Sequence, residues 1–276
     1  MEELMAVLRK NKAFAFFSAL ALLMVTVSVF APYLAPNDPL KSNLAHTLQG
    51  RSAEFPLGTD QLGRCLLSRL LYGARTSLKL TFCLVGIVLT VGTAIGTVAG
   101  YVGRRVDTII MRISDVFLAF PGLVFAIAIA GVLGASLMNV VIALAAVSWT
   151  KYTRVSRSLV LAVKERDYIL AAKMGGAKRY QVILKYILPN IIPTLIVMAA
   201  MDIGVMMLEI SALSFLGLGA QPPTPEWGYM LSEGRNNMQT EPWLMIYPGM
   251  AIFITVMIFN LLGDSLRDIL DPNQEY

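Results

Sequence analysis

DYILAAKMGGAKRYQVILKYILPN, residues 167–190, interrupts a chain that is otherwise greasy enough for lipid. Here the apolar runs stop, Ala171 and Ala172 stand side by side, Gly175 and Gly176 follow, and bases cluster. Residues 167–173 are good helix formers, and the paired alanines are small enough for another protein's backbone to approach closely. The glycine pair breaks or bends that helix and again clears space. Tyr180, Ile183, Leu184 and Ile187 then recur at i, i+3, i+4 and i+7, one apolar stripe with Lys178, Arg179 and Lys185 off it. Leu188 precedes Pro189, where a helix tends to end. The order predicts a short helix, a bend, and an amphipathic helix feeding an apolar segment. A basic loop touching anionic headgroups accounts for the charge; a docking surface accounts for the order as well.

The rest of the chain supplies the membrane. Of 276 residues, 56% are hydrophobic and 15% charged, and the mean hydropathy is +0.65. A soluble domain carries about 25% charged residues, so an all-α integral membrane protein is the expected class. A bilayer core takes about 20 helical residues. Uncharged runs then predict six spans, at 12–32, 79–101, 115–134, 137–154, 190–215 and 246–264. The run from 116 to 150 is too long for one crossing and is divided at the small-residue stretch 131–136. The first run follows Arg9, Lys10 and Lys12, as a signal peptide would, but no A-x-A site closes it, so it is read as an uncleaved anchor.

Charge orients the spans. With the N-terminus (residues 1–11) inside, sixteen bases fall in inner loops and six in outer ones. Lys and Arg gather on the cytoplasmic side, so both termini, 1–11 and 265–276, are expected there. Residues 33–78 and 216–245 are then outer segments, and 155–189 is the inner loop. The five-span core occupies 79–264.

Other function classes find little support. No P-loop occurs. The single histidine, His46, lies in a polar loop, and Cys65 and Cys83 are expected as free thiols. No nucleophile–base pair, metal cluster or soluble basic module for nucleic acid is visible, and outer Asp60 and Arg64 alone do not make a catalytic site. An ATPase-independent secondary transporter would show an inverted repeat with broken helices, and none is evident.

The opening stretch resembles the EAA loop of binding-protein-dependent ABC importer permeases, through Ala171, Ala172, Gly176, Leu188 and Pro189. Leu170 stands at the usual Glu. LGTDQLGRCLLSRLLYGARTSL (57–78) is similar to a signature of the dipeptide/oligopeptide/nickel branch, with Cys65 at its Asp. SFLGLGAQPPTPEWG (214–228) and FNLLGDSLRDILDP (259–272) resemble the same branch. The chain is therefore identified as a second permease subunit of that branch. The resemblance implies a type I ABC importer permease fold and a heterodimer with a second permease in the bacterial inner membrane. It also implies two ATPase subunits, which hold ATP and magnesium, and an extracytoplasmic solute-binding protein. No cofactor is expected on this chain and no metal site is assigned. Ala171, Ala172, Gly175, Gly176, Ala177, Leu188 and Pro189 would form the coupling element that meets an ATPase. Pro223 and Trp227 would either meet the binding protein or anchor an interfacial loop.

Asp202, Met206 and Glu209 fall at i, i+4 and i+7 on the fifth span. Acids within a span face a cavity or a partner. Two readings follow: a lock to the partner permease, or a carboxylate–thioether path for a cation. DIGVMML (202–208) looks like nickel-type members, so nickel or a metal chelate is the expected substrate, with short peptides the alternative.

Overall fold

A computed structural model describes residues 11–270, and the regular structure in that range is helical apart from one antiparallel bridge between Thr59 and Cys65. Helix α1 (Lys12–Val29) is apolar on all sides and buries only Ala21 and Ser28, so it rides on the outside of the bundle. A short turn of helix, α2 (Ala31–Leu34), carries Pro32 near its start.

The next helix corrects the sequence reading. Helix α3 (Leu66–Val102) begins within the segment expected to be outer loop and runs unbroken for 37 residues. At about 1.5 Å per residue that is roughly 55 Å, well beyond a bilayer core of about 30 Å. Hydropathy stops at Lys79 and Arg75, whereas helix formation has no breaker to stop it. Arg69, which reads as a loop charge, is buried because acids from elsewhere meet it.

The expected third span, 115–134, is two pieces. Helix α4 (Arg104–Leu118) ends at Ala119, and α5 (Gly122–Leu133) restarts after Pro121, with 86° between them. Proline disfavours a helical residue before it, and Phe120-Pro121-Gly122 lies in plain view within the uncharged run. The division expected at 131–136 does occur: Gly134 takes φ +89 and α6 (Leu137–Val163) follows. Helix α6 continues well past 154 and carries Lys151, Arg154 and Arg157.

The inner segment holds α7 (Asp167–Met174) and α8 (Arg179–Val182), then a π-helical turn at Ile183–Ile187 that passes into α9 (Leu188–Phe215). Pro189 thus opens α9 instead of ending a helix, and residues 179–215 are continuous. A π turn is a local widening, and widening just ahead of the proline ring eases its clash with the preceding turn. It also resets the apolar register. Val182, Ile187 and Ile191 face the core, while Tyr180 and Leu184 of the expected stripe are exposed. Helix α10 (Trp227–Gly234) and α11 (Trp243–Leu270) complete the chain.

Four of these helices are long and apolar enough to cross a membrane, or five with the bent α4–α5 pair, among the described residues. The expected fourth span, 137–154, is part of α6, whose Lys151 and Arg154 lower its hydropathy. One face of α3 presents Gly92, Gly96 and Gly100 to it. A Cβ at Gly92 would sit 2.8 Å from the Trp149 carbonyl oxygen, one at Gly96 2.8 Å from Ser156 Cβ, and one at Gly100 2.9 Å from Val160 Cβ. Small residues every fourth position let two backbones approach, the association mode available where water gives no drive. The larger core gathers α3, α5, α6 and α9 around Leu84, Val88, Leu144 and Leu195. A second cluster joins α1, α10 and α11 to the first half of α3.

Candidate functional site

The knob at residues 166–177 is built by conformation more than by clearance. Ile169 is fully buried and pins α7 to the core. The helix then closes with a Schellman motif: Ala177 N–H donates to the Ala172 carbonyl at 3.0 Å and Gly176 N–H to that of Lys173 at 3.1 Å. Gly176 takes φ +85, the left-handed position such a motif requires. Nothing lies within 4 Å of where its Cβ would be, and Gly175 meets only ordinary contacts. The space expected around these glycines is therefore open surface, not a packed interface within the chain. Ala171, Leu170, Met174 and Tyr180 are exposed beside it, Met174 at 90%. Gln181 accepts a hydrogen bond from Lys178 N–H at 2.8 Å and caps α8. Leu188 is half-buried and Pro189 exposed, a turn further along.

Deeper in the bundle, α6, α9 and α11 enclose an open cavity of about 740 Å3. Lys151 Nζ donates to Asp202 Oδ1 at 2.6 Å on its wall. The Asp202 side chain is 4% exposed and that of Lys151 55%. Asp264 and Arg267 of α11 lie on the same lining, with Met198, Met201 and Asn260. Helices α9 and α11 approach at two glycines. A Cβ on Gly204 would meet Asn260 Oδ1 at 2.6 Å, and one on Gly263 would meet Met201 Cγ at 2.6 Å.

This geometry separates the expected trio. Asp202 lines the cavity, whereas Met206 is buried elsewhere and Glu209 is only half-buried off the lining. Asp202 also has a counter-ion within its own chain. Sequence reasoning left Lys151, at the inner end of the expected span 137–154, without a partner. The signal was present, since an intramembrane acid needs a partner and Lys151 ends the long uncharged run.

On the opposite end, buried Asp60, Arg64 and Arg69 form a four-charge node with half-buried Glu233. Arg64 Nε meets Asp60 Oδ2 at 2.7 Å and its Nη2 meets Glu233 Oε1 at 2.8 Å. Arg69 reaches Asp60 at 3.2 Å and also pairs with Glu233. Burial pushes the Glu233 carboxyl up, and Arg64 opposes that shift. Next to it, Glu226 accepts from Gly228 N–H at 2.9 Å, Tyr229 N–H at 2.8 Å and Ser77 Oγ at 3.0 Å. Trp227 is 2% exposed, donates to the Leu70 carbonyl at 2.9 Å, and fits over Gly73. This corrects both readings of Trp227: it is neither a docking residue nor an interfacial anchor but a core plug holding α10 to α3. Pro223 is exposed.

Comparison with known proteins gives three results. Residues 92–276 match the binding-protein-dependent transport system inner membrane component family, and residues 2–50 match the N-terminal TM domain of oligopeptide transport permease C. A dipeptide transport system permease protein of Alkalihalophilus pseudofirmus is 44% identical, covering 97% of this chain and 88% of the relative. A nickel transport system permease protein of Escherichia coli is 42% identical over 95% of this chain and 93% of its own length. A glutathione transport system permease protein of Pectobacterium atrosepticum is 42% identical over 91% and 84%. Among solved structures, a chain of the MetNI methionine ABC transporter in inward-facing conformations superposes with a TM-score of 0.59 at 17% identity. It covers 73% of this chain and 96% of its own. That likeness concerns the fold.

Proposed function

Because the chain belongs to the binding-protein-dependent transport system inner membrane components, and is thus an inner-membrane permease of a peptide/nickel ABC importer, we propose that it pairs with a second permease and couples to two ATPase subunits through the knob at residues 166–177. Both termini are cytoplasmic in this reading, and a solute-binding protein docks on the opposite face. The observation that carries it is the exposed eight-residue helix closed by a left-handed glycine on the base-rich side of the chain. A permease has no internal use for such a knob, and a partner that changes conformation with ATP does. Met174→Cys tests the assignment: cross-links from this exposed position should reach an ATPase subunit of the assembled importer. Links only to the binding protein would overturn it.

For the substrate, the cavity's charges come as Lys151 with Asp202 and Asp264 beside Arg267. A balanced lining suits a zwitterionic dipeptide, whose ammonium and carboxylate can meet charges of opposite sign on the wall. Nickel, the expectation from DIGVMML, retains support from the 42%-identical nickel permease. A bare divalent cation would however need carboxylates that Lys151 does not already neutralise. Labelled nickel uptake with an unlabelled dipeptide as competitor, followed by the reverse pairing, distinguishes the two.

A further inference from the structure

Five bases converge where the ends of α3 and α6 meet the start of α4, the knob and α8. Arg104, Arg105, Lys164, Lys173 and Arg179 line a cavity of about 1080 Å3, with Glu165 as the one acid on its wall. None of the five has a carboxylate within ion-pair distance among the described residues, and Glu165 has no ion pair either. The contrast with their neighbours is sharp. Arg154 and Arg157, on the same α6, are matched by Asp115 and Asp107 of α4. Charge is therefore neutralised where α4 packs on α6 and left without ion pairs around the cavity.

Two of the five are also held in place. Lys164 Nζ donates to the Gly100 carbonyl at 3.0 Å, and Lys173 Nζ stands 5.9 Å from the centre of the Tyr101 ring. The wall is not purely polar. Val102, Val106 and Leu170 form an apolar rim, with Val102 51% exposed. The rim continues along α4 as Ile109, Ile113 and Val116, all exposed. The cavity thus offers concentrated positive charge at the level where two apolar helices end, with an apolar track leading away from it.

We propose that this cavity seats the phosphodiester headgroup of an anionic phospholipid, whose acyl chains lie along the apolar face of α4. A free phosphate or nucleotide would use the charge but not the track. The bound headgroup would bridge α4 and the end of α6 to α7 and so hold the knob in position. The proposal does not depend on what the knob touches, and lipid retention can be read without any coupling assay.

The test uses the assembled importer in bilayers of phosphatidylcholine with and without phosphatidylglycerol, with native mass spectrometry counting retained phosphatidylglycerol. Each base near an anionic surface contributes enough that its loss weakens binding roughly fivefold. Arg105→Gln should retain lipid about fivefold less well, and the triple variant Arg104→Gln, Arg105→Gln, Arg179→Gln more than tenfold less well. Lys41→Gln, an exposed base outside the cavity, should behave as the wild type. Equal retention by the triple variant and the wild type overturns the proposal. So does displacement of the lipid by inorganic phosphate at matched concentration, which would mark a free-anion site. Loss of ATPase subunits from the triple variant in pure phosphatidylcholine would assign the bases to an acidic protein surface, and that too refutes a lipid site.

Discussion

Gly176 is where conformation and clearance can be told apart, by replacing it with alanine, asparagine and leucine in turn. At φ +85 an L-residue is strained, by about 1–2 kcal/mol for most side chains and less for asparagine, which tolerates the left-handed region. No atom lies within 4 Å of the added Cβ, so strain is the whole penalty inside this chain. If the knob relaxes to escape it, the two hydrogen bonds that close α7 are lost, each worth about 1 kcal/mol net. The knob should then be destabilised by about 1.4 kcal/mol in the alanine variant, a tenfold change in the ratio of formed to misformed knob. Uptake measured in proteoliposomes, normalised to assembled complex, should fall for Gly176→Ala, by at most about tenfold. Gly176→Asn should stay within about threefold of wild type, since its strain is a fraction of that figure. Gly176→Leu should be at least as impaired as alanine. Membrane insertion should be unchanged in all three. Alanine and asparagine both at wild-type levels, with leucine alone inactive, would refute the conformational reasoning and restore a purely steric role.

Three further outcomes follow from packing. Gly96→Ala places a methyl against α6 and should destabilise the folded permease by roughly 1–3 kcal/mol, read as a lower Tm in detergent, whereas Gly86→Ala, with nothing within 4 Å, should leave Tm unchanged. Lys151→Ala strands the buried Asp202 and should cost more stability, roughly 1–3 kcal/mol, than the double variant with Asp202→Asn; a double-mutant cycle by thermal unfolding checks the sign. Trp227→Ala should lower stability by about 3–5 kcal/mol without changing binding-protein affinity in the fraction that folds, while Pro223→Ala should leave Tm alone; binding measured on the surviving complex decides between plug and docking surface.

Much of the architecture was legible because lipid imposes a simple rule: uncharged runs of sufficient length become helices. The same rule hid what lies across its boundaries. Helix α3 extends 13 residues before the predicted start at 79, since Arg69 and Arg75 stop a hydropathy window but not a hydrogen-bond ladder. Arg69 is made tolerable by Asp60 and Glu233, one close in sequence and the other 164 residues away. No local pattern announces that pairing. The bend at Pro121 was available locally and overlooked, because the run was divided by length alone. At the knob, residue order offered both a bend and clearance for the glycine pair. Two adjacent glycines look like clearance, and only φ reveals that Gly176 alone needs its freedom. The π turn is a subtler case. A stripe read at 3.6 residues per turn mispredicts Tyr180 and Leu184 because five residues, not four, separate Val182 from Ile187 on one face.

Helix α6 connects these separate features into one mechanical object. Its middle supplies Lys151 to the cavity, its next two turns give Arg154 and Arg157 to α4, and its end gives Lys164 to the Gly100 carbonyl. Three residues later the chain enters α7. The glycine seam lets α3 lie directly on α6, so the two share backbone contact over several turns and cannot slide without opening a gap too small for lipid. From Lys151 to Val163 the rise is roughly 18 Å at 1.5 Å per residue. In the coupling proposal, a displacement of the knob, held to the core by Ile169, would be carried along a braced rod to the ion pair on the cavity wall. Packed interiors switch between discrete arrangements more readily than they stretch. Under the coupling proposal, force on α7 should then reorient the Lys151–Asp202 wall as a unit, and the cavity changes access without any side chain in it having to sense nucleotide.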